Sequence, residues 1–466
     1  LFGTGRSEKL DARQQELLLG QIEALEKQLE SATSVPAHDR RKRAPLATRE
    51  ERFAHLPVEE TVEVIPEEVA ADPDAYERTE AVEETFEVDY HPPRFFRRRL
   101  VRPKHRRKDQ PDQPLVVAPA KPQVVEGIAS ANLVALILIA KFVDHLPLYR
   151  QAKTYRRHGC DFSPKSMVRW VGQAAEWLRP IYDHMAWELL QGNYLQADET
   201  PVNFCDPDLG LKKTKRGFFC VYSRPDDNVV FVWRRGRSGA DVTGFLDGYA
   251  GLLQTDAYAP YLSFAREHPQ ITLLGCMAHV RRKFFEARDY HRRECDLVLA
   301  QIAKLYQIEK EIREAGPLAP EQVEAIRQRR CPNRLARLKR TMEIIQRNSR
   351  PQDPVRKACH YALGIWKSLT EYVNHGEARI DNNLVENAIR PTAVGKKNWL
   401  FIGHPDAGDR ATIIYSILIS CQRFGIDPQP YLRFVFEQDT RSMSPEQIAA
   451  ITPRAYAQAI ATAQAA

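Results

Sequence analysis

The chain has 466 residues, of which 43% are hydrophobic and 28% charged. That composition excludes wholesale disorder, and at roughly 150 residues per domain it suggests two to four domains. No apolar run reaches the ~18 residues of a membrane span. The longest, IASANLVALILIA (128–140), stops at Lys141 and Asp144. The N-terminus LFGTGRSEKLDARQQ has no apolar signal region, and it begins without Met, as a fragment or a processed product would. Eight cysteines, none closer than 15 positions to another, exclude CxxC knuckles and argue against a disulfide scaffold; a reducing cytoplasm is the default. The net charge of +7 permits a polyanionic partner.

In chain order, residues 1–31 come first. Leu18, Ile22, Leu25 and Leu29 form a short a/d seam there, either a self-associating coiled coil or one amphipathic helix packed on its own chain. Residues 32–125 read as a linker and arm. Residues 58–89 carry 13 Asp/Glu against the single base Arg78, whereas 91–108, HPPRFFRRRLVRPKHRRK, carry nine Lys/Arg and no acid. The second run is a phosphate-binding arm or a linker neutralised by its acidic neighbour.

Residues 126–190 read as helical. After a helix over about 128–143, Gly159 marks a turn, Ser163 an N-cap and Pro164 a first helical position. Two helices around that turn, with Lys165 and Arg169 on the second, fit a DNA-reading helix-turn-helix or a plain packing hairpin.

At residue 193 the period changes to two. NYLQADETPVNF, GFFCVYSR (217–224) and NVVFVWRR (228–235) read as strands, with RPDDN as a turn. The stretch GADVTGFLDGYA reads as helical. GLLQTD is a fourth strand, a short helix follows, and ITLLGCMAH (271–279) is a fifth strand. The order predicts an α/β fold with a mixed sheet and flanking helices. Residues 191–280 are its first part, 281–376 a basic helical insertion, 377–425 the return to the fold, and 426–466 a closing helical element.

Three acids stand out by position. Asp198 ends the first strand, Asp256 ends the fourth, and Glu386 sits on the helix after the insertion. If the first and fourth strands are neighbours, both aspartates emerge at one sheet edge, where a packed helix can add the glutamate. Three carboxylates in one cleft suit Mg²⁺ or Mn²⁺, and two such ions about 3.5–4 Å apart support phosphoryl transfer. The plainer reading is that strand-end acids terminate pairing and cap helices. Cys276 and His279 suggest a metal pair, but two ligands do not make a zinc site.

The motifs QADETPV, LLQTDAYAPY, LLGCMAHVRRKF and IDNNLVENAIRPTAVGKKNWLFIGHPDAG together resemble the large transposase of the bacterial insertion sequence 66 family. LFGTGRSEKLD, HGCDFSPKSMVRWV and FGIDPQPYL extend the resemblance over nearly the whole chain. It implies a ribonuclease-H-like core. It also implies metal-dependent cleavage of element ends, and then strand transfer into target DNA by the freed 3′-hydroxyl. Asp198, Asp256 and Glu386 would be the catalytic, metal-binding acids. Arg390, Lys396 and Lys397 would meet the DNA backbone, or else be ordinary surface or a salt bridge to Glu386; Arg281 and Arg282 would meet DNA or support the acids, and Lys165 and Arg169 are further DNA candidates. His279 and Asn382 would support the acids, and Trp399 and Phe401 would be core. Double-stranded DNA, further copies of the chain and accessory proteins of the same element are the implied partners. The rivals are a nuclease of the same core without strand transfer, and a decayed copy that only binds DNA. In one respect the sequence departs from the family, whose members typically carry a cysteine zinc segment after the N-terminal helix. The stretches ADPDAYERTEAVEETFEVDYHPPRFF and RRLVRPKHRRKDQ contain no cysteine, so no structural zinc is expected.

Overall fold

The computed structural model describes residues 94–102, 122–206, 214–236, 243–256 and 258–465. It also describes Asp74 and two short strands, Lys104–His105 paired antiparallel with Val116–Val117. The seam over 1–31, nearly all of the acidic run and most of the cysteine-free stretches lie outside the described residues. Of the basic run, Arg97, Arg98, Arg99 and Arg102 are exposed and without regular secondary structure. The chain divides into two compact units, Leu1–Phe96 and Arg97–Ala466; all that follows concerns the second. No described helix is long and apolar enough to cross a membrane.

Five strands make one mixed sheet: β1 (Tyr194–Cys205), β2 (Thr214–Ser223), β3 (Val230–Arg234), β4 (Gly251–Gln254) and β5 (Ile271–Leu274). Their spatial order is β3-β2-β1-β4-β5. The first three form an antiparallel meander, while β4 pairs parallel with β1, and β5 parallel with β4. Gly251 starts β4 at φ +134°, and a Cβ there would lie 2.5 Å from the Asn193 carbonyl oxygen, so only glycine lets β4 approach β1 this closely.

Edge strand β3 is closed by a helix. Ser416 and Ser420, four residues apart on α12 (Asp406–Arg423), accept hydrogen bonds from the backbone N–H groups of Phe231 (2.8 Å) and Val229 (2.9 Å). Twelve residues of α12 are buried, and its Gly408 lies against the Trp233 ring, where a Cβ would meet ring carbon at 2.4 Å.

Before the sheet come α1 (Ala131–Phe142), α2 (Leu148–Arg157) and α3 (Pro164–Leu190). Gly159 takes φ +83°, and Ser163 caps α3 by accepting from Ser166 N–H (3.1 Å). At 27 residues, α3 spans about 40 Å. Its buried stripe, from Met167 to Leu189, packs on the body of the unit. Lys165 and Arg169 are exposed at its start.

The elements differ from expectation in places. β1 does not end at Asp198 but runs on to Cys205, because β2 continues to pair with it over that length. The short helix between β4 and β5 is α4 (Ala259–Glu267). The fifth strand stops at Leu274, and the rest of ITLLGCMAH turns through Gly275 into α5 (Met277–Ala287), with Cys276 as its N-cap. A short apolar run does not by its periodicity distinguish strand from buried helix. Of the expected helix in GADVTGFLDGYA, residues 239–242 lie outside the described residues, and Gly244–Leu246 is a 3₁₀ turn.

The insertion continues from α5 through α6 (Arg292–Glu314), α7 (Pro320–Arg330), α8 (Pro332–Asn348), α9 (Pro354–Gly364) and α10 (Trp366–Thr370). One apolar cluster joins it to the sheet: Tyr194, Leu252 and Leu274 pack with Val280, Phe284, Ile302, Leu338 and Ile380. A buried ion pair fastens its far end. Arg327, 2% exposed, meets Glu309 through two bonds (2.7 and 2.9 Å) and donates to the carbonyls of Tyr372, His375 and Ala378. Those carbonyls belong to the segment leading into α11 (Asn383–Trp399). After α12 the chain closes with α13 (Pro428–Phe436), α14 (Pro445–Ala450) and α15 (Pro453–Ala465).

Candidate active site

Adjacency of β1 and β4 decides where the aspartates stand. Gln196 pairs with Gln254 in parallel register. Asp198 and Asp256 each follow two residues later, Asp198 inside β1 and Asp256 just beyond the end of β4, so the two stand level on neighbouring strands. Asp256 accepts from Tyr258 N–H (2.9 Å), and its own carbonyl accepts from the Tyr361 hydroxyl (2.6 Å), which ties it to the insertion. Asp198 accepts from Glu199 N–H (2.8 Å). Burial pushes the Asp198 carboxyl up to about 7; the charges of Asp256 and Glu386 push the same way, against the Glu199 N–H and Arg282.

Glu386 lies in the first turn of α11. Its Oε2 accepts from Arg282 of α5 at 2.7 Å, and its Oε1 is 3.3 Å from His279 Nε2. Burial lowers the His279 pKa, against the raising influence of Glu386 and Asp256. Asn382, the fully buried N-cap of α11, joins three elements. Its side chain donates to Ala197 O on β1 (3.3 Å), and its N–H donates to the Cys276 sulfur at the start of α5 (3.4 Å).

Beneath the acids is a polar cluster that sequence reasoning missed. Gln196 and Gln254, both fully buried, reach from the sheet to the segment that opens α11. Gln196 donates to Asp381 O (2.8 Å) and Gln254 to Arg379 O (2.8 Å). The Tyr194 hydroxyl donates to Gln254 Oε1 (2.5 Å) and accepts from Arg379 N–H (3.1 Å). Tyr306 of α6 donates to Asp381 Oδ2 (2.7 Å). The same two strand residues that precede the aspartates therefore hold the backbone that carries the glutamate. The available signal was an amide at the end of an apolar strand, in YLQ and LLQ, since a buried polar group is the informative kind.

The basic residues divide. Arg281, Arg390 and Lys397 are exposed, and Arg282 reaches Glu386. Lys396 is instead half-buried, donating to Thr200 Oγ1 (2.7 Å) and Pro201 O (2.8 Å), so it fastens α11 to β1. Lys165 and Arg169 lie exposed on α3. Phe401, expected in the core, is 45% exposed, whereas Trp399 is half-buried. Leu400 turns at φ +63°, and Phe401 bridges to Asn203 of β1.

An acidic cluster where β4 ends beside β1, faced by a helix bearing a third acid and by arginines, offers the donors that a dication and a phosphate ester would need. Residues 126–410 match the transposase IS66 family, and the chain belongs to that family. It is 30% identical over 443 residues to the uncharacterized protein y4qI of Sinorhizobium fredii, covering 91% of this chain and 80% of that one. It is also 30% identical to y4jD and 29% identical to y4hP of the same organism, over 69% and 66% of this chain and 65% and 58% of theirs.

The Asp198 environment has a measurable consequence for stability. Between pH 3.8 and about 7 the folded chain keeps a proton that the unfolded chain has released. The fold therefore loses stability as pH rises through that window and stays at a disadvantage above it. Asp198→Asn is expected to stabilise the ion-free protein at pH 7.5 by roughly 1–2 kcal/mol. Urea melts with and without Mg²⁺ check this: Mg²⁺ should narrow the difference, and an Asn variant less stable than wild type refutes it.

Proposed function

We propose that the chain is a DNA transposase with a ribonuclease-H-like core, and that Asp198, Asp256 and Glu386 are its catalytic carboxylates. The sheet order, with one antiparallel meander and two parallel strands beside β1, supports that core. The observation that carries the reading is the unbalanced acidic site. Burial, with the charges of Asp256 and Glu386, pushes the Asp198 carboxyl up to about 7, and Glu386 Oε1 is buried without a hydrogen-bond partner. Hard oxygen donors in that state fit Mg²⁺ or Mn²⁺, two ions in the full site, and Asp198, Asp256 and Glu386 would hold them. When bound, such ions neutralise the acids and polarise the phosphodiester toward attack, first by water and then by the freed 3′-hydroxyl.

The chain's own residues do the positioning. Arg282, now on Glu386, lies within reach of a phosphate placed between α5 and α11. Arg281, Arg390 and Lys397 neutralise the DNA backbone along those helices, and Lys165 and Arg169 add charge on α3. Asn382 fixes the start of α11 on β1, and His279 lies beside the Glu386 carboxylate, 3.3 Å away. Two element ends require at least two copies of the chain, with accessory proteins of the element alongside and bacterial DNA in the cytoplasm as substrate.

The test mixes purified protein with labelled element ends and target plasmid, with and without Mg²⁺. We expect Mg²⁺-dependent release of 3′-hydroxyl ends, followed by joined products. Cutting without joining reduces the protein to a nuclease, and binding without cutting to a DNA-binding protein.

The glutamine pair gives a second expectation. Gln254→Leu leaves Arg379 O without its donor and loosens the lead-in to α11. A misplacement of ~1 Å costs roughly 10²-fold in rate, so cutting should fall by about that factor while end binding persists. Cutting at the wild-type rate in a folded Gln254→Leu protein excludes the positioning role.

A further inference from the structure

Cys276 and His279 are two ligands by spacing; the fold adds a third. Cys276 caps α5 and His279 stands in its first turn, so both project from one end of the helix. Glu386 reaches them from α11. Ligand atoms of Cys276, His279 and Glu386 all lie within 4.8 Å of one another. The 3.3 Å from His279 Nε2 to Glu386 Oε1 is the separation that two ligands of one tetrahedral ion need with bonds of about 2.0 Å. Glu386 Oε1 and His279 Nδ1 are both shut off from water with no hydrogen-bond partner. Arg282 engages the other carboxylate oxygen, which leaves Oε1 beside the imidazole. A thiol, an imidazole and one carboxylate are donors for a thiophilic dication, whereas Mg²⁺ prefers an all-oxygen shell.

We propose that Cys276, His279 and Glu386 form a three-ligand site for Zn²⁺ or a similar thiophilic dication, and that filling it withdraws Glu386 from DNA cutting. Binding itself stands on this geometry alone; the inhibitory consequence rests on the function proposed above. On binding, the Cys276 S–H bond breaks, its proton passes to solvent, and a sulfur–metal bond forms with no change of oxidation state. Arg282 stays on Oε2 and orients the carboxylate, as outer partners of metal ligands do. A fourth position is left to water. Zinc would then hold the protein idle, and its removal would return Glu386 to the aspartates.

Co²⁺ is the probe for binding. The full chain, reduced and freed of metal by chelation, is titrated with Co²⁺ and followed by absorption. We expect about one ion per chain with intense tetrahedral visible bands and a near-ultraviolet thiolate-to-cobalt charge-transfer band, both bleached by Zn²⁺. Cys276→Ser and His279→Gln should remove the charge-transfer band or weaken Co²⁺ binding roughly ten- to hundredfold, while Asp198→Asn should keep it. Circular dichroism and urea melts establish that each variant is folded. A weak octahedral spectrum in the wild type, or an unchanged charge-transfer band in folded Cys276→Ser, overturns the site.

The second arm adds Zn²⁺ to the Mg²⁺-supported cutting assay. Inhibition in the wild type that needs roughly tenfold more Zn²⁺ in Cys276→Ser supports the idle state, and equal sensitivity of the two overturns it. A protein that cuts no DNA under any condition defeats the transposase reading instead, and leaves the cobalt spectrum to decide the metal site.

Discussion

Replacing Glu386 with Gln, or Asp198 or Asp256 with Asn, is expected to slow cutting of element ends by at least about 10³-fold, with DNA binding held within a few fold. Each amide keeps the volume of the acid and one carbonyl oxygen. In Asp198→Asn that oxygen still accepts from Glu199 N–H. In Glu386→Gln it still accepts from Arg282. What is lost is negative charge, and with it the grip on a dication. Transition-state charge stabilisation of several kcal/mol, at 1.36 kcal/mol per tenfold in rate, sets the size of the effect. Affinity for DNA should not suffer, because an acid facing a phosphate repels it. Gel assays of cutting, run beside fluorescence anisotropy of the same labelled ends, separate the two quantities. A variant that cuts within tenfold of wild type removes that acid from the proposed machinery.

The second large effect is on stability. Arg327→Met is expected to destabilise the protein by about 3–5 kcal/mol, the usual cost of removing one partner of a buried ion pair. Three carbonyls lose their donor at once, and Glu309, 4% exposed, is left charged with no cation. Arg327→Met combined with Glu309→Leu should recover a large part of the loss, since both partners are then apolar. Urea denaturation of the four proteins measures the coupling. Additive losses in the double variant refute the account. The freed segment, Tyr372 to Ala378, leads into α11, so cutting should fall in Arg327→Met even at temperatures where it stays folded.

Much of the sheet was legible because it depends on local rules. The alternation in NYLQADETPVNF, the apolar β2 and β3 segments and the RPDDN turn each encode their own conformation, and they fold as β1, β2, β3 and the loop between them. Register was not legible. That Gln196 lies opposite Gln254 is a property of two strands brought together across a crossover, and nothing in either segment states it. The same holds for the Arg282–Glu386 contact, which spans 104 positions. Spacing also misled. Asn382 and Arg390 stand four residues either side of Glu386, yet Asn382 is the N-cap and turns into the sheet while Arg390 stays exposed. Phe401 reads as core from its composition, yet the turn at Leu400 carries it outward. The Cys276–His279 pair was visible; its third neighbour was not, because Glu386 arrives only when the chain has crossed the whole insertion.

Ser416 and Ser420 bear on how copies of this chain can meet. The strand that ends the sheet on the β3 side offers its outward amides to those hydroxyls, so a second molecule finds no row of free donors there to extend. On the function proposed above, a contact between copies at that edge would fall to side-chain surfaces, which dissolve and re-form without tearing a shared ladder, as a complex that releases its joined strands would need.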